Sequence, residues 1–420
     1  MIKNKLKDIS LSISSGLTPL RSNNEFWLNG EIPWLKTEQL GEKYIYHTNE
    51  HITKNALNKT SIKINPENTL SIAMYGEGKT RGNLSILKSP MTTNQACCNV
   101  VIDPSKAHYE YIYYYLKTQY EEIRNLSSGV RKNLNSNDIK NYPIRLPSSL
   151  DIQFSIANVL KSLDNKIELN NRINANLEAM AKTLYDYWFV QFDFPDANGK
   201  PYKTSGGKMV YNQTLKREIP EGWTTEPLTK SCDVVDCLHS KKPDFYNESE
   251  DAYLLQLDNI TDSRQINLEQ KYFVSKHDYS EWTSRIEVKH FDIVMTNAGR
   301  IAAFAQVPKG IRCGIGRNIT AIRPNNIKPN YFYMSLSGND IQKQILSNLD
   351  HGAFFKSFNV KGIKKLFLTR PIDNIESKFE ELISPIIEKR NAALAENAKL
   401  ASLCDWLLPM LMNGQVTVKG

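Results

Sequence analysis

The chain has 420 residues, 40% apolar and 23% charged, with a formal net charge of +8. This length allows two to four domains with cores of their own, and the mildly basic balance fits a polyanion partner without requiring one. No apolar run is long enough to span a bilayer, and the opening MIKNKLKDISLSISSG holds no sustained apolar segment, so there is no sign of secretion and a cytoplasmic chain is expected.

Taken in chain order, residues 71–74 and 99–102 read as short strands, and residues 109–125 read as a helix carrying the cluster Tyr109, Tyr111 and Tyr113 to Tyr115. At helical spacing these tyrosines belong to a core rather than to a base-stacking platform. Gly76-Glu77-Gly78-Lys79-Thr80-Arg81-Gly82 has the look of a phosphate loop, but its spacing is wrong and no suitable helix follows. Residues 151–192 place Ile156, Leu160, Leu163, Ile167, Leu177, Ala181, Leu184 and Trp188 on a heptad seam with no Gly or Pro. A helix of roughly 40 residues is about 60 Å long, more than one compact domain needs. Asn170 and Asn174 fall on the seam, where polar residues fix register at a cost in stability. Residues 193–223, rich in Pro, Gly and charge, read as an exposed linker. Strands are expected again at 292–295 and 319–322, and a helix at 331–349.

A second seam follows near the C-terminus, displaced by 219 residues (Leu160 to Phe379, Trp188 to Leu407): Phe379, Leu382, Ile386, Lys389, Ala393, Glu396, Leu400, Leu403 and Leu407. Its polar interruption sits where the first one does, and Asp405-Trp406-Leu407-Leu408 echoes Asp186-Tyr187-Trp188-Phe189. Pro385 predicts a kink or a helix start. Two long helices with one stripe each are expected to pack on each other. The globular parts repeat as well. Ile32 to Leu40 corresponds to Ala252 to Ile260, Ala73-Met74-Tyr75-Gly76 to Val294-Met295-Thr296-Asn297, Tyr111-Ile112-Tyr113 to Tyr331-Phe332-Tyr333, and Gly129 to Lys132 to Gly352 to Lys356. The chain therefore reads as two halves, each a mixed α/β unit followed by a long helix.

No catalytic constellation emerges. There is no Walker loop, no GxGxxG between strand and helix, no HExxH, and no Asn/Asp-Pro-Pro-aromatic tetrad. Cys232, Cys237 and His239 do not have a structural zinc spacing, so reduced, partly buried thiols and no metal are expected. What the halves share is polar and basic loops at matching positions. The candidates for DNA contact are Lys36, Thr37, Lys79, Arg81, Asn94, Gln95, Arg131, Lys132 and Asn133 in the first half. Gln256, Asn259, Asn297, Arg300, Arg317, Asn318 and Lys356 are their counterparts in the second. Forked Arg, Asn and Gln side chains fit base edges, and Lys fits phosphates. Taken singly, most are ordinary loop residues. As a series they keep their positions while changing identity, which suits two related readers of different sequences. The competing interpretation is a stand-alone nuclease or methyltransferase with an unrecognised site; a third is an adaptor that never touches DNA.

Gly199-Lys200-Pro201-Tyr202-Lys203-Thr204-Ser205-Gly206-Gly207, Arg217-Glu218-Ile219-Pro220-Glu221-Gly222-Trp223, the helix pattern from Asn176 to Phe189 and the ending Leu407 to Gly414 together resemble the specificity (S) subunits of Type I restriction–modification systems, HsdS. Gly30-Glu31-Ile32-Pro33-Trp34-Leu35 opens the first unit as in that family. The resemblance implies a duplicated α/β fold with two recognition domains separated by two antiparallel coiled-coil helices, in approximate two-fold symmetry. On this chain it divides as recognition domain 1–149, spacer helix 150–192, linker 193–222, recognition domain 223–371, spacer helix 372–413 and tail 414–420. Each domain would read half of a bipartite double-stranded DNA site. The helices would set the gap and dock two HsdM methyltransferase subunits, with exposed Val159, Ile173 and Met180 as contacts. HsdR restriction subunits would join them. S-adenosylmethionine, ATP and Mg²⁺ would reside on the partners, and this chain would be catalytically inert with no cofactor of its own.

Overall fold

The structure, a computed structural model, describes residues 2–76, 80–126, 133–147, 149–238, 243–245, 252–351 and 356–418. It divides into two compact units, Met1–Glu168 with Lys399–Gly420, and Leu169–Ala398. No helix among the described residues is long and apolar enough to cross a membrane.

In the first unit a five-stranded sheet runs Ser10–Ser15, Cys97–Ile102, Leu70–Ala73, Leu84–Leu87, Tyr44–Ile45. Its middle strands are buried on both faces; Ser71, Ser85 and Asn99 share one of these faces, where Ser71 Oγ donates to Asn99 Oδ1 at 3.0 Å. A second sheet places Ile32–Leu35 between Glu50–Ile52, antiparallel, and Thr92–Thr93, parallel. The helix Tyr109–Thr118 buries Tyr111 to Leu116, so the tyrosine cluster is core. The first long helix, Leu150–Tyr185, starts in this unit and sinks Ile156, Ala157 and Leu160 into the core, joined by Leu411 and Met412.

Charged bonds tie this helix to its globule. Lys161 Nζ lies 3.1 Å from Glu110 Oε1, which also accepts from Tyr44 Oη at 2.5 Å. Lys43 Nζ lies 2.9 Å from Asp164. Burial opposes the Glu110 charge, but the Tyr44 and Lys161 hydrogen bonds prevail and hold its carboxyl below the usual range.

The second unit repeats the scheme. A four-stranded sheet runs Cys232–Asp236, Ile319–Pro324, Ile293–Thr296, Phe304–Gln306. Tyr253–Leu255 lies between Tyr272–Phe273, antiparallel, and Gly314–Ile315, parallel. The expected helix at 331–349 is two, Pro329–Ser337 and Asn339–Ser347, broken at Gly338. Tyr331 Oη donates to the Thr369 carbonyl at 2.6 Å, as Tyr111 does to Arg145 at 3.5 Å. At the place of Lys161 the contact differs: here Asn330 Nδ2 on the globule donates to Glu380 Oε1 on the long helix at 3.0 Å. Burial pushes the Glu380 carboxyl above its usual range.

Within this unit the two long helices run antiparallel. Asn170 Nδ2 donates to Glu396 Oε2 at 2.7 Å and Asn397 Oδ1 at 2.9 Å, and Trp188 and Phe189 pack on Phe379 with ring centroids 5.8 and 4.8 Å apart. Asn170 and Asn174 are both buried on the seam. Asn170 is bonded, whereas neither polar atom of Asn174 has a hydrogen-bond partner. Two expectations need correcting. Pro385 does not start a helix: the second long helix, Asp373–Asn413, begins a full three turns earlier and runs through it. Residues 193–223 are not merely an exposed linker. Met209–Asn212 and Arg217–Pro220 form a hairpin, and Phe194 is buried and stacks on Tyr202 and Trp223 at 4.7 and 5.1 Å. Their apolar anchors are too widely spaced to give a periodic signal.

The two seam asparagines predict opposite outcomes on substitution. Asn174→Leu should raise stability by about 1–2 kcal/mol, because two unsatisfied buried atoms are removed. Asn170→Leu should lower it by about 0.5–1 kcal/mol by removing the hydrogen bonds to Asn397 and to the exposed Glu396. Urea unfolding of the purified chain and both variants measures the two shifts.

Candidate nucleic-acid interface

In each unit one short parallel strand pair decides which loops meet. In the first, Leu35 faces Thr93 in register and Asn94 N donates to the Leu35 carbonyl at 2.9 Å. Both strands leave the pair in the same direction, so Lys36 and Thr37 emerge beside Asn94 and Gln95. Residues 16–18 close over them. Leu17 N donates to Thr93 O at 2.9 Å, and Thr18 Oγ1 donates to Gln95 Oε1. A Cβ on Gly16 would stand 2.2 Å from the Thr93 carbonyl oxygen, so only glycine permits this approach.

The second unit uses the same wiring. Leu255 faces Ile315, and Gly316 N donates to Leu255 O at 2.8 Å, bringing Gln256 beside Arg317 and Asn318. A Cβ on Gly316 would meet Leu255 O at 2.5 Å. Further out, Met74 N donates to Ala96 O and Leu134 N to Met74 O, at 2.8 and 3.1 Å. Asn297 N donates to Asn318 O and Phe358 N to Asn297 O, at 2.8 and 2.9 Å, in the corresponding places. Main-chain bonds thus set the loop positions, and the side chains are left to differ.

The candidate residues sort by environment. Gln95, Arg317 and Asn318 are exposed, and Lys36, Thr37, Arg81, Asn133 and Gln256 are half-buried. Asn318 takes a left-handed φ of 62°, which asparagine tolerates better than most residues. Lys36 Nζ sits 2.7 Å from Glu38 and 2.8 Å from Glu50, and these two carboxylates raise its pKa. Lys79, Arg131 and Lys132 lie outside the described residues, as does the side chain of Lys356.

Three candidates are corrected by their surroundings. Asn259 is buried. Its Oδ1 accepts from Gln256 N at 2.7 Å and its Nδ2 donates to the carbonyls of Asn267 and Gln270 at 2.9 and 2.8 Å, which leaves nothing for a base. Asn297 is buried too, with Oδ1 accepting from Thr320 Oγ1 at 2.9 Å. Arg300 donates to Leu257 O at 2.9 Å, to Ile260 O, and to Asp262 at 2.8 Å, so it clamps a turn. Asn94 is partly in the same position, its Oδ1 accepting from Ala96 N at 3.1 Å. A side chain that caps backbone and one that reads bases are the same residue types, so sequence does not separate them.

Residues absent from the sequence-based set also lie at this edge: Thr18, Arg21 and Glu50. Arg21 Nη1 donates to Glu50 Oε2, and its guanidinium lies 3.8 Å from the Trp27 ring centroid. The Arg21 hydrogen bond lowers the pKa of Glu50 against a smaller burial effect, and Lys36 adds to the lowering. No local spacing in the sequence announces a contact between residues 21 and 50. The buried thiols carry no such chemistry; burial pushes Cys97 and Cys98 up to about 12.

Residues 3–179 match the Type I restriction modification DNA specificity domain. The chain is similar to the Type I restriction enzyme MjaIX specificity subunit of Methanocaldococcus jannaschii, 25% identical over 99% of this chain and 93% of that one. It is similar to the HindI specificity subunit of Haemophilus influenzae, 23% identical over 71% of this chain and 74% of that one. Its fold is shared with the crystal structure of the Type I restriction–modification S subunit from M. genitalium, at a TM-score of 0.57 and 15% identity over 98% of this chain and 95% of that one.

The corrected assignments separate on stability. Asn259→Ala should cost about 2–3 kcal/mol, since it orphans buried backbone groups, whereas Arg317→Ala should stay within about 0.5 kcal/mol of the parent. Denaturant midpoints of the two variants check this.

Proposed function

The chain belongs to the specificity subunits of Type I restriction–modification systems, a non-catalytic DNA-recognising class, and on that footing we propose that its two units read the two halves of one split DNA site. The observation that supports this best is the pairing of identical backbone wiring with different side chains. Lys36, Thr37 and Gln95 occupy the edge in one unit; Gln256, Arg317 and Asn318 occupy it in the other. Equivalent scaffolds presenting unlike donors and acceptors suit unlike half-sites.

In this proposal the long helices set the number of unread base pairs between the halves and carry exposed apolar residues such as Met180 toward methyltransferase subunits. Val159 is instead packed against the first unit's core, and Ile173 is only half-exposed, so neither serves as a main contact. The subunit works in the cytoplasm with two methyltransferase subunits and with restriction subunits. S-adenosylmethionine, ATP and Mg²⁺ belong to those partners. Two modest readers joined in one chain gain affinity through effective concentration.

Arg317→Ala should weaken binding of the assembled complex to its methylated target by about tenfold and relax one position of one half-site. Competition binding across single-base variants of that target measures it; unchanged affinity and unchanged preference would remove Arg317 from the interface. Deleting one heptad from each long helix keeps the seam in phase. It should shorten the unread gap by about three base pairs. Sequencing of methylated DNA reads the gap, and an unchanged gap would refute the ruler.

A further inference from the structure

We propose that Arg21 reads a base edge, with guanine as its natural partner, and that Glu50, Trp27 and Trp34 are the residues that position it. The inference rests on DNA recognition by the first unit and adds to it a residue and a ligand chemistry.

The guanidinium sits in an aromatic corner, within cation–π distance of two rings. Its carbon is 3.8 Å from the Trp27 centroid and 4.6 Å from that of Trp34, and the two rings meet edge to face at 5.0 Å and 85°. The corner is itself fixed. Trp34 Nε1 donates to Leu17 O at 3.0 Å, and Trp27 Nε1 donates to Leu20 O at 3.1 Å. Glu50 takes one donor, from Nη1, and is anchored by register because it pairs with Trp34 across the sheet. Arginine has five donors in one plane, and the side chain remains 49% exposed. The Glu50 bond takes one of these donors, and the two rings and the carboxylate fix where this half-exposed fork sits.

Charge decides between phosphate and base. Arg21 and Lys36 are the cations of this cluster, and Glu38 and Glu50 are its carboxylates. The four cancel, so the cluster has little long-range pull on a phosphate backbone. Immobilising a long side chain is also wasted on a contact that needs only a point charge, since ordering such a side chain has an entropic cost. A fixed, planar, locally neutralised fork is what bidentate donation to the N7 and O6 acceptors of guanine requires. Its position fits as well, beside the Thr18–Gln95 bond and sharing Glu50 with Lys36.

The test uses the full chain assembled with its methyltransferase subunits and S-adenosylmethionine, acting on a plasmid library of random sequence whose methylated sites are then sequenced. The wild-type complex should yield a split motif. Arg21→Ala and Arg21→Lys should each relax one guanine–cytosine position in one half, with methylation of the original motif falling by about tenfold or more. The other half and the gap should be unchanged. Glu50→Gln, which keeps the arginine and loosens its support, should relax the same position to a smaller degree. An unaltered motif in both arginine variants would overturn the assignment. So would a uniform fall at every site with the motif intact, which marks a phosphate contact or a purely structural role. If Arg21→Ala lowers the unfolding midpoint, Arg21→Lys, which keeps the stacked cation, decides alone. A wild-type complex that methylates without any sequence preference would instead overturn DNA recognition itself.

Discussion

A two-residue parallel strand pair, made once in each unit, is the constraint from which the interface follows. Antiparallel hairpins would send the chain back on itself and scatter Lys36 from Gln95, or Gln256 from Arg317. Parallel pairing sends both chains out of the sheet at one edge. The bonds that enforce it are backbone bonds, from Asn94 N to Leu35 O and from Gly316 N to Leu255 O, at 2.9 and 2.8 Å. Glycine at 16 and 316 is required because another backbone or side chain occupies the space of a Cβ. Nothing in this arrangement depends on which side chains emerge, so recognition can vary while the scaffold stays.

Around that edge the polar residues divide into those that build the scaffold and those that face outward. Asn259, Asn297 and Arg300 belong to the first kind: Asn259 and Arg300 bond turn carbonyls, and Asn297 accepts from Thr320 on the neighbouring strand. Gln95, Arg317 and Asn318 belong to the second. The Arg21–Glu50–Lys36–Glu38 cluster combines both, since every member is held and two members still keep donors at the surface.

The sequence carried the large-scale organisation clearly. Heptad spacing marked both long helices, colinear matches marked the duplication, and the buried strands appeared as β-branched and apolar runs at 71–74, 99–102, 292–295 and 319–322. These are period and composition signals, which survive without three-dimensional knowledge. Pro385 did not mark a helix start because its penalty is outweighed by a helix buried along Phe379, Ile383 and Ile387. The packed corner at 193–223 was missed because Phe194 and Trp223, 29 positions apart, find each other across the chain rather than within a turn. At the interface, positions were legible and roles were not. Whether an asparagine points at a carbonyl or at solvent depends on loop closure by residues 8 to 23 positions away, as for Asn259 and Asn297.

The unlike charges at one repeated globule-to-helix contact bear on how the chain avoids error. In the first unit a carboxylate on the globule, Glu110, meets a lysine on the helix; in the second an amide, Asn330, meets a carboxylate, Glu380. Lys161 and Glu380 occupy the same place in the repeat. A globule seated on the wrong helix would set Glu110 against Glu380 and would take Lys43 from Asp164, since Ile383 stands at the matching place. A duplicated protein invites its halves to trade places during folding, and mismatches of this kind disfavour the exchange.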